Sequence, residues 1–206
     1  MPKLISDDRI LDAAVATVAE HGFAGATTRQ IATVAEVNEV TLFRKFGTKA
    51  NLLREAMVRE LAAFEDAGGA RYSGDVHADL RRVVELYRGL VERRGRLIPV
   101  LLAELPRWPE LREVVEIPQR VIASVAVVLA RYQQEGVLEP EPPLLAVASL
   151  LAPLMVLELV RGTNEALSPP VLVVEDHVRR FIAGRTPAQG SGSSSPKPKP
   201  RRQSRR

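Results

Sequence analysis

Apolar residues recur at helical spacing through almost the whole chain, and nowhere do they alternate with polar residues in a sustained two-residue rhythm. A strand with one buried face needs that alternation, whereas a helix buries positions three and four apart. An all-α fold is therefore expected, with glycine and proline as its punctuation. The breaks at Gly68-Gly69, Gly95, Pro106 with Pro109, Gly136 to Pro143, and Pro169-Pro170 leave helices near 75–94, 96–104, 110–134, 144–162 and 171–183. From Thr186 onward only Gly, Ser, Pro, Lys and Arg dominate and apolar periodicity ends, so a disordered basic tail is expected over 186–206.

The first 66 residues carry the clearest local signals. A helix from about Asp8 to His21 places Ile10, Leu11, Ala14, Val15 and Val18 on one face, and Gly22 follows where a left-handed cap is usual. Thr27-Thr28-Arg29-Gln30 has the form of a capping box, which starts a helix over roughly 28–35. Glu36-Val37 makes a turn, and Asn38 caps a third helix that runs to about Phe46. Gly47 ends that helix, and Thr48 caps a longer one to about Asp66. Two short helices joined by a tight turn and preceded by a packing helix are the helix-turn-helix arrangement.

On the third helix, Leu42 and Phe46 lie within about 40° of each other and define its buried side. Val40, Thr41 and Arg44 then face outward, with Phe43 and Lys45 flanking. Such a mixture suits a DNA major groove: Arg44 for a guanine edge or a phosphate, Thr41 for either, Val40 for a thymine methyl. It suits an ordinary solvated face equally well. Lys49, a cation in the first turn of a helix, opposes the helix dipole at a cost of roughly 0.3–1 kcal/mol unless something compensates. A phosphate at that helix start is one such compensation, and Arg29 repeats the pattern. Charge along the chain agrees. The net +4, less the six basic residues of the tail, leaves residues 1–190 at −2, yet residues 29–54 hold five basic side chains against two acidic ones.

The segments Ile10-Leu11-Asp12-Ala13-Ala14, Gly22-Phe23, Thr27-Thr28-Arg29-Gln30-Ile31-Ala32 and Val37-Asn38-Glu39-Val40-Thr41-Leu42-Phe43-Arg44-Lys45-Phe46, followed by Lys49 and Leu52-Leu53, resemble the TetR family of bacterial regulators. The resemblance spans roughly residues 4–64. It implies a TetR-type DNA-binding domain over 4–64, with the motif at 27–46, a helical ligand-binding and dimerisation domain over 65–185, and the tail beyond. It further implies that Thr28, Arg29, Thr41, Phe43, Lys45 and Lys49 contact the DNA backbone or base edges, and that Glu39, Val40 and Arg44 set sequence preference. Two positions depart from the family pattern. Phe43 stands where tyrosine is frequent, and Glu36 stands at a turn position where glycine is usual. A left-handed backbone at Glu36 costs on the order of 1–2 kcal/mol.

The stretch 144–162 is apolar nearly all round and needs partners on two sides. Together with the amphipathic 171–183 it can form a four-helix contact across a two-fold axis, the usual dimer of this family, or serve as the central helix of a monomeric bundle. A dimer implies a palindromic operator in double-stranded DNA. The middle helices then enclose an effector pocket with candidate lining residues Phe64, Tyr87, Leu90, Leu101, Trp108, Val121, Val125 and Met155. Each taken singly is equally at home in plain core, and the set favours a lipophilic small molecule. Glu158 and Arg161 read as an ion pair at the dimer rim or as polar anchors for an effector, and Trp108 as a loop staple or a gate.

Other function classes find little support. The chain has no cysteine, phosphate-cradling glycine loop, HExxH pair or nucleophile elbow, and its three histidines lie far apart, so no enzyme, metal or cofactor is expected. The N-terminus turns acidic where a signal peptide turns apolar, and Pro153 and Glu158 interrupt the one long apolar stretch, so a cytoplasmic protein outside the membrane is expected, nucleoid-associated when bound to DNA. The rival reading is a nonspecific polyanion binder that acts through Pro-Lys-Pro-Lys-Pro-Arg-Arg of the tail.

Overall fold

The computed structural model describes residues 7–163 and 169–187. The basic tail from residue 188 onward lies outside them. Among the described residues there are nine helices and no strand: α1 (Asp7–Gly25), α2 (Thr28–Ala35), α3 (Glu39–Phe46), α4 (Lys49–Asp66), α5 (Val76–Arg94), α6 (Leu97–Glu104), α7 (Leu111–Gln134), α8 (Pro143–Thr163) and α9 (Val174–Ala183).

Local chemistry sets the ends of the short helices. Thr27 accepts from the Gln30 amide at 3.1 Å while its own N–H donates to the Gln30 side chain at 2.8 Å, completing the capping box. Asn38 accepts from the Val40 N–H at 2.8 Å, and Thr48 from that of Asn51 at 3.1 Å. Glu36 closes α2 in the left-handed region, at φ 55° and ψ 41°, and its carboxylate pairs with Arg9 at 2.6 Å. The glycine-free turn thus keeps its geometry and carries the strain. α1 extends four residues beyond the expected His21 but is broken at Gly22, where φ is 74°.

Two apolar clusters run through the molecule. The lower one joins α1, α2, α3 and the first half of α4 to Leu97 and Leu101 of α6 and to Leu111, Val114 and Ile117 of α7. The upper one gathers the end of α4 with α5, the rest of α7, α8 and α9. An 18-residue helix is about 27 Å long, so α4 spans both clusters and serves as a common wall.

By length and composition, Pro143–Arg161 of α8 is apolar enough to cross a membrane, with a mean hydropathy of 2.2. In the fold it packs against α5, α7 and α9. Ala146, Val147, Leu150, Leu151 and Leu154 are buried, while Leu144 and Leu145 stay 65% and 56% exposed and Val156 is exposed beside them. One chain thus covers one side of α8. His177 ties α9 to α8 through the Leu150 carbonyl at 2.8 Å.

The loop before α5 is anchored by Asp79, which is fully buried. Its carboxylate accepts from the Tyr132 hydroxyl at 2.5 Å, from the Ser73 N–H and hydroxyl at 2.7 Å each, and from Arg82 at 2.8 Å. Burial works to raise the Asp79 pKa, but these bonds together outweigh it and hold it below the ordinary carboxylate value. Asp79→Ala strands the Tyr132 hydroxyl and the Ser73 N–H and is expected to cost about 3 kcal/mol in urea unfolding. Because the folded value is depressed, the stabilisation is full above the ordinary carboxylate range and drains away as pH falls through the depressed value. The variant's stability should accordingly depend less on pH than the parent's in that acidic window.

Candidate nucleic-acid interface and effector cavity

α3 is held by its buried side. Leu42 and Phe46 enter the lower cluster, which leaves Val40 72% exposed and Phe43 65% exposed, with Thr41, Arg44 and Lys45 exposed beside them. Two large apolar side chains kept in water on an eight-residue helix are unfavourable for an isolated surface and suit one that is covered by a partner. The Thr28 hydroxyl donates to Glu39 at 2.6 Å, so the N-termini of α2 and α3 are held side by side and both open onto the same surface. Arg29 and Arg44 make no ion pair among the described residues, and their charges are available at that surface. Lys45 is paired with Asp7 through two half-exposed side chains, a contact that costs little to exchange for a phosphate.

Lys49 behaves differently from the other cations. Its ammonium donates to the carbonyls of Phe23 and Ala26, the second at 2.5 Å, and lies 4.3 Å from the centre of the Phe23 ring. The dipole conflict expected at the start of α4 is thus relieved by carbonyls from the end of α1. Burial pushes the Lys49 pKa down, while the charges of Glu104 and Glu110 push it up. Glu104, the last residue of α6, completes the junction from the opposite side. It accepts from the N–H groups of Phe23 at 2.8 Å and Ala24 at 2.9 Å, which the break at Gly22 leaves without helical partners. The positive φ favours glycine at position 22, and a side chain there would meet Glu104 Oε1 at 2.5 Å and have to displace that carboxylate from its N–H donors. Trp108 packs edge-on against Phe23 with ring centres 5.6 Å apart, which makes it a staple for this junction.

The described residues also line a largely apolar cavity of about 170 Å³, open to solvent on one side, between α4, α5, α6, α7 and α8. Of the residues expected to line a pocket, Tyr87, Leu90, Val121 and Met155 are brought together here. The others are not: Phe64 and Val125 are in the upper cluster, Leu101 is in the lower one, and Trp108 is at the junction. Sequence reasoning missed Met57 and Leu61 of α4, Ile98 of α6 and Ile117 of α7. All four lie on helix faces already apolar by period, so no local signal separates a wall residue from a core one.

At one end of the cavity stand the buried Glu60 and the partly buried Arg94, members of a charge network that runs out to the surface. Glu60 accepts from Arg93 at 3.0 Å and from Arg94 at 2.8 Å. Asp12 accepts from Arg94 and Arg59 at 2.5 Å each, and Asp8 from Arg59 at 2.9 Å. Burial works to raise the Asp12 pKa, but Arg59 and Arg94 hold it below the ordinary range. Glu158 and Arg161 form the expected ion pair beside Arg88, on the flank of α8.

Comparison with known proteins places these features. Residues 10–56 match the model of the bacterial regulatory proteins of the tetR family. A curated relative, the uncharacterized HTH-type transcriptional regulator YvkB of Bacillus subtilis (strain 168), is 27% identical over 135 residues, which cover 65% of this chain and 71% of the relative. Among solved structures, a transcriptional regulator from Rhodococcus sp. Rha1 superposes with a TM-score of 0.64 at 20% identity, covering 88% of this chain and 98% of that one. The fatty acid degradation regulator FadR from Bacillus halodurans gives 0.64 at 21% identity, covering 89% and 94%. The TetR family regulator PfmR from Thermus thermophilus gives 0.60 at 22%, covering 85% and 95%. At these identities the structural likeness is one of fold. The family match falls on the helix-turn-helix and the helical architecture is shared along the chain, so residues 10–56 are similar to the DNA-binding domain of the tetR-family regulatory proteins and the fold as a whole is like that of the solved regulators.

Proposed function

We propose that the protein is a homodimeric repressor that holds a palindromic operator through α3 and lets it go when a small lipophilic effector fills the cavity between α4 and α8. The observation that carries the reading is the outward face of α3, where Val40, Thr41, Phe43 and Arg44 are held in water beside Arg29 by a helix whose other side is locked into core. In this reading Arg44, Val40 and Glu39 read base edges, and Thr28, Arg29, Thr41, Phe43 and Lys45 bind or pack against the backbone. Lys49 acts from behind, fixing the end of α1 on which the helix-turn-helix rests. A cytoplasmic site of action, with nucleoid association when DNA is bound, belongs to the same reading.

The dimer is supported by the uncovered face of α8, with Leu144, Leu145 and Val156, and by Val171 and Val173 just before α9. A two-fold axis there would set two α3 helices about one DNA turn, roughly 34–36 Å, or somewhat more apart. Coupling is supported by the cavity and the junction sharing α6: Ile98 lines the first, Glu104 caps the second. An effector that displaces α6 shifts the carboxylate on which the end of α1 rests, at a typical coupling of about 1–3 kcal/mol.

Selection of sites from a random DNA pool by the full chain tests the DNA reading, and an enriched palindrome is the expected result. Arg44→Ala should then lose about 1–3 kcal/mol at that palindrome and much less on unrelated DNA, whereas equal losses on both would make Arg44 a phosphate contact. Leu145→Glu, placed on the uncovered face of α8, should shift the protein to monomer in analytical ultracentrifugation and weaken operator binding with it. Glu104→Gln keeps the size of the cap but removes its charge, so operator affinity should fall severalfold in gel-shift titration although the substitution is remote from α3.

A further inference from the structure

The cavity between α4, α5, α6, α7 and α8 is small. At about 170 Å³ it is close to the roughly 150 Å³ apolar cavity that takes one benzene molecule, and well below the roughly 300–1,000 Å³ of sites for drug-sized ligands. Its inner part has room for about ten non-hydrogen atoms, and the pocket is open to solvent on one side. The likeness to a fatty acid degradation regulator is one of fold and brings no long acyl chain to this cavity.

Three features of its wall narrow the chemistry. Met57 and Met155 both line it, and their polarisable thioethers make favourable contacts with aromatic rings. The Tyr87 hydroxyl has no hydrogen-bond partner among the described residues, and no unpartnered side-chain polar atom is sealed in the interior, so it opens onto free space. Burial raises its pKa, and it is neutral at physiological pH, able to donate and to accept one hydrogen bond. The charged end of the wall is already balanced. Glu60, Asp12 and Asp8 face Arg59, Arg93 and Arg94, three carboxylates against three guanidiniums, so a further charge on a ligand finds no counter-ion there.

We infer that the effector is a compact, neutral, monocyclic compound with a single hydroxyl or carbonyl oxygen, whose ring lies among Met57, Met155 and Val121 and whose oxygen bonds to the Tyr87 hydroxyl. This rests on the reading of the cavity as the effector site and goes beyond it by fixing size, charge and polarity. A benzoate-type anion finds no free counter-ion at the charged end, and a long-chain acid would have to extend most of its chain out of the pocket mouth.

Titration calorimetry on the full chain with four probes, benzyl alcohol, toluene, benzoate and palmitate, tests this. Benzyl alcohol is expected to bind about fivefold more tightly than toluene, the worth of one hydrogen bond, and more tightly than either anion. Tyr87→Phe should erase the difference between benzyl alcohol and toluene. Val121→Trp, which fills the void, should abolish binding of both. Should circular dichroism show that variant to be unfolded, Leu90→Phe takes its place. If benzoate or palmitate binds more tightly than benzyl alcohol and the filling variant blocks it, the ligand class is overturned and the cavity remains the effector site. Equal affinity for benzyl alcohol and toluene in the parent overturns the role of Tyr87. Should no probe bind, both the class and the effector reading of this cavity fall.

Discussion

The broken end of α1 is the point on which the arrangement depends. By turning the backbone at Gly22, the chain exposes two N–H groups on one side and two carbonyls on the other within four residues. Left to water, these would cap nothing. Here the N–H groups take the Glu104 carboxylate and the carbonyls take the Lys49 ammonium, so α6 and α4 are both referred to one short piece of backbone. These bonds lie in a partly buried setting, so losing one partner weakens the junction from both sides at once. Phe23 adds an apolar component, since its ring lies between the Lys49 ammonium and Trp108.

Electrostatics in this molecule are local. The chain outside its tail is acidic in balance, and several arginines are spent internally: Arg59, Arg93 and Arg94 on the network around Glu60 and Asp12, Arg82 on Asp79. At the α3 surface the cations are left over beside exposed apolar side chains. Arg29 and Arg44 are unpaired among the described residues, and Lys45 holds only an exposed pair. A surface needs few such charges to attract a polyanion, provided nothing nearby neutralises them.

Helix positions were legible in the sequence wherever the cause is local. The capping box at Thr27, the caps at Asn38 and Thr48 and the buried pair Leu42 and Phe46 all follow from residues within four positions of one another, and the structure agrees with each, while of the two possibilities open at Glu36 the structure has the strained, left-handed one. Lys49 shows the opposite case. The cost of a cation in the first turn was readable, but the groups that relieve it lie 23 and 26 residues away, and the contact between them depends on tertiary packing. The cavity was legible in part for the same reason. Apolar period identifies the inward face of α4, α5 or α7, but whether that face meets another side chain or a void depends on helix crossings, so Leu101 and Val125 proved solid core while Met57 and Ile117 border the space. That α4 would serve both clusters was implicit in its length alone.

The cavity lies on the seam between the two apolar clusters, with Met57 and Ile117 belonging to the lower one and Val121 to the upper. Side chains that face a void forfeit the dispersion contacts that a filled interior supplies, so this seam is held less tightly than the cores on either side of it. Hydrostatic pressure acts on that difference, because it favours states that eliminate internal volume. The seam between α4 and α7 is therefore a place where the two halves can shift against each other without breaking a tightly packed core.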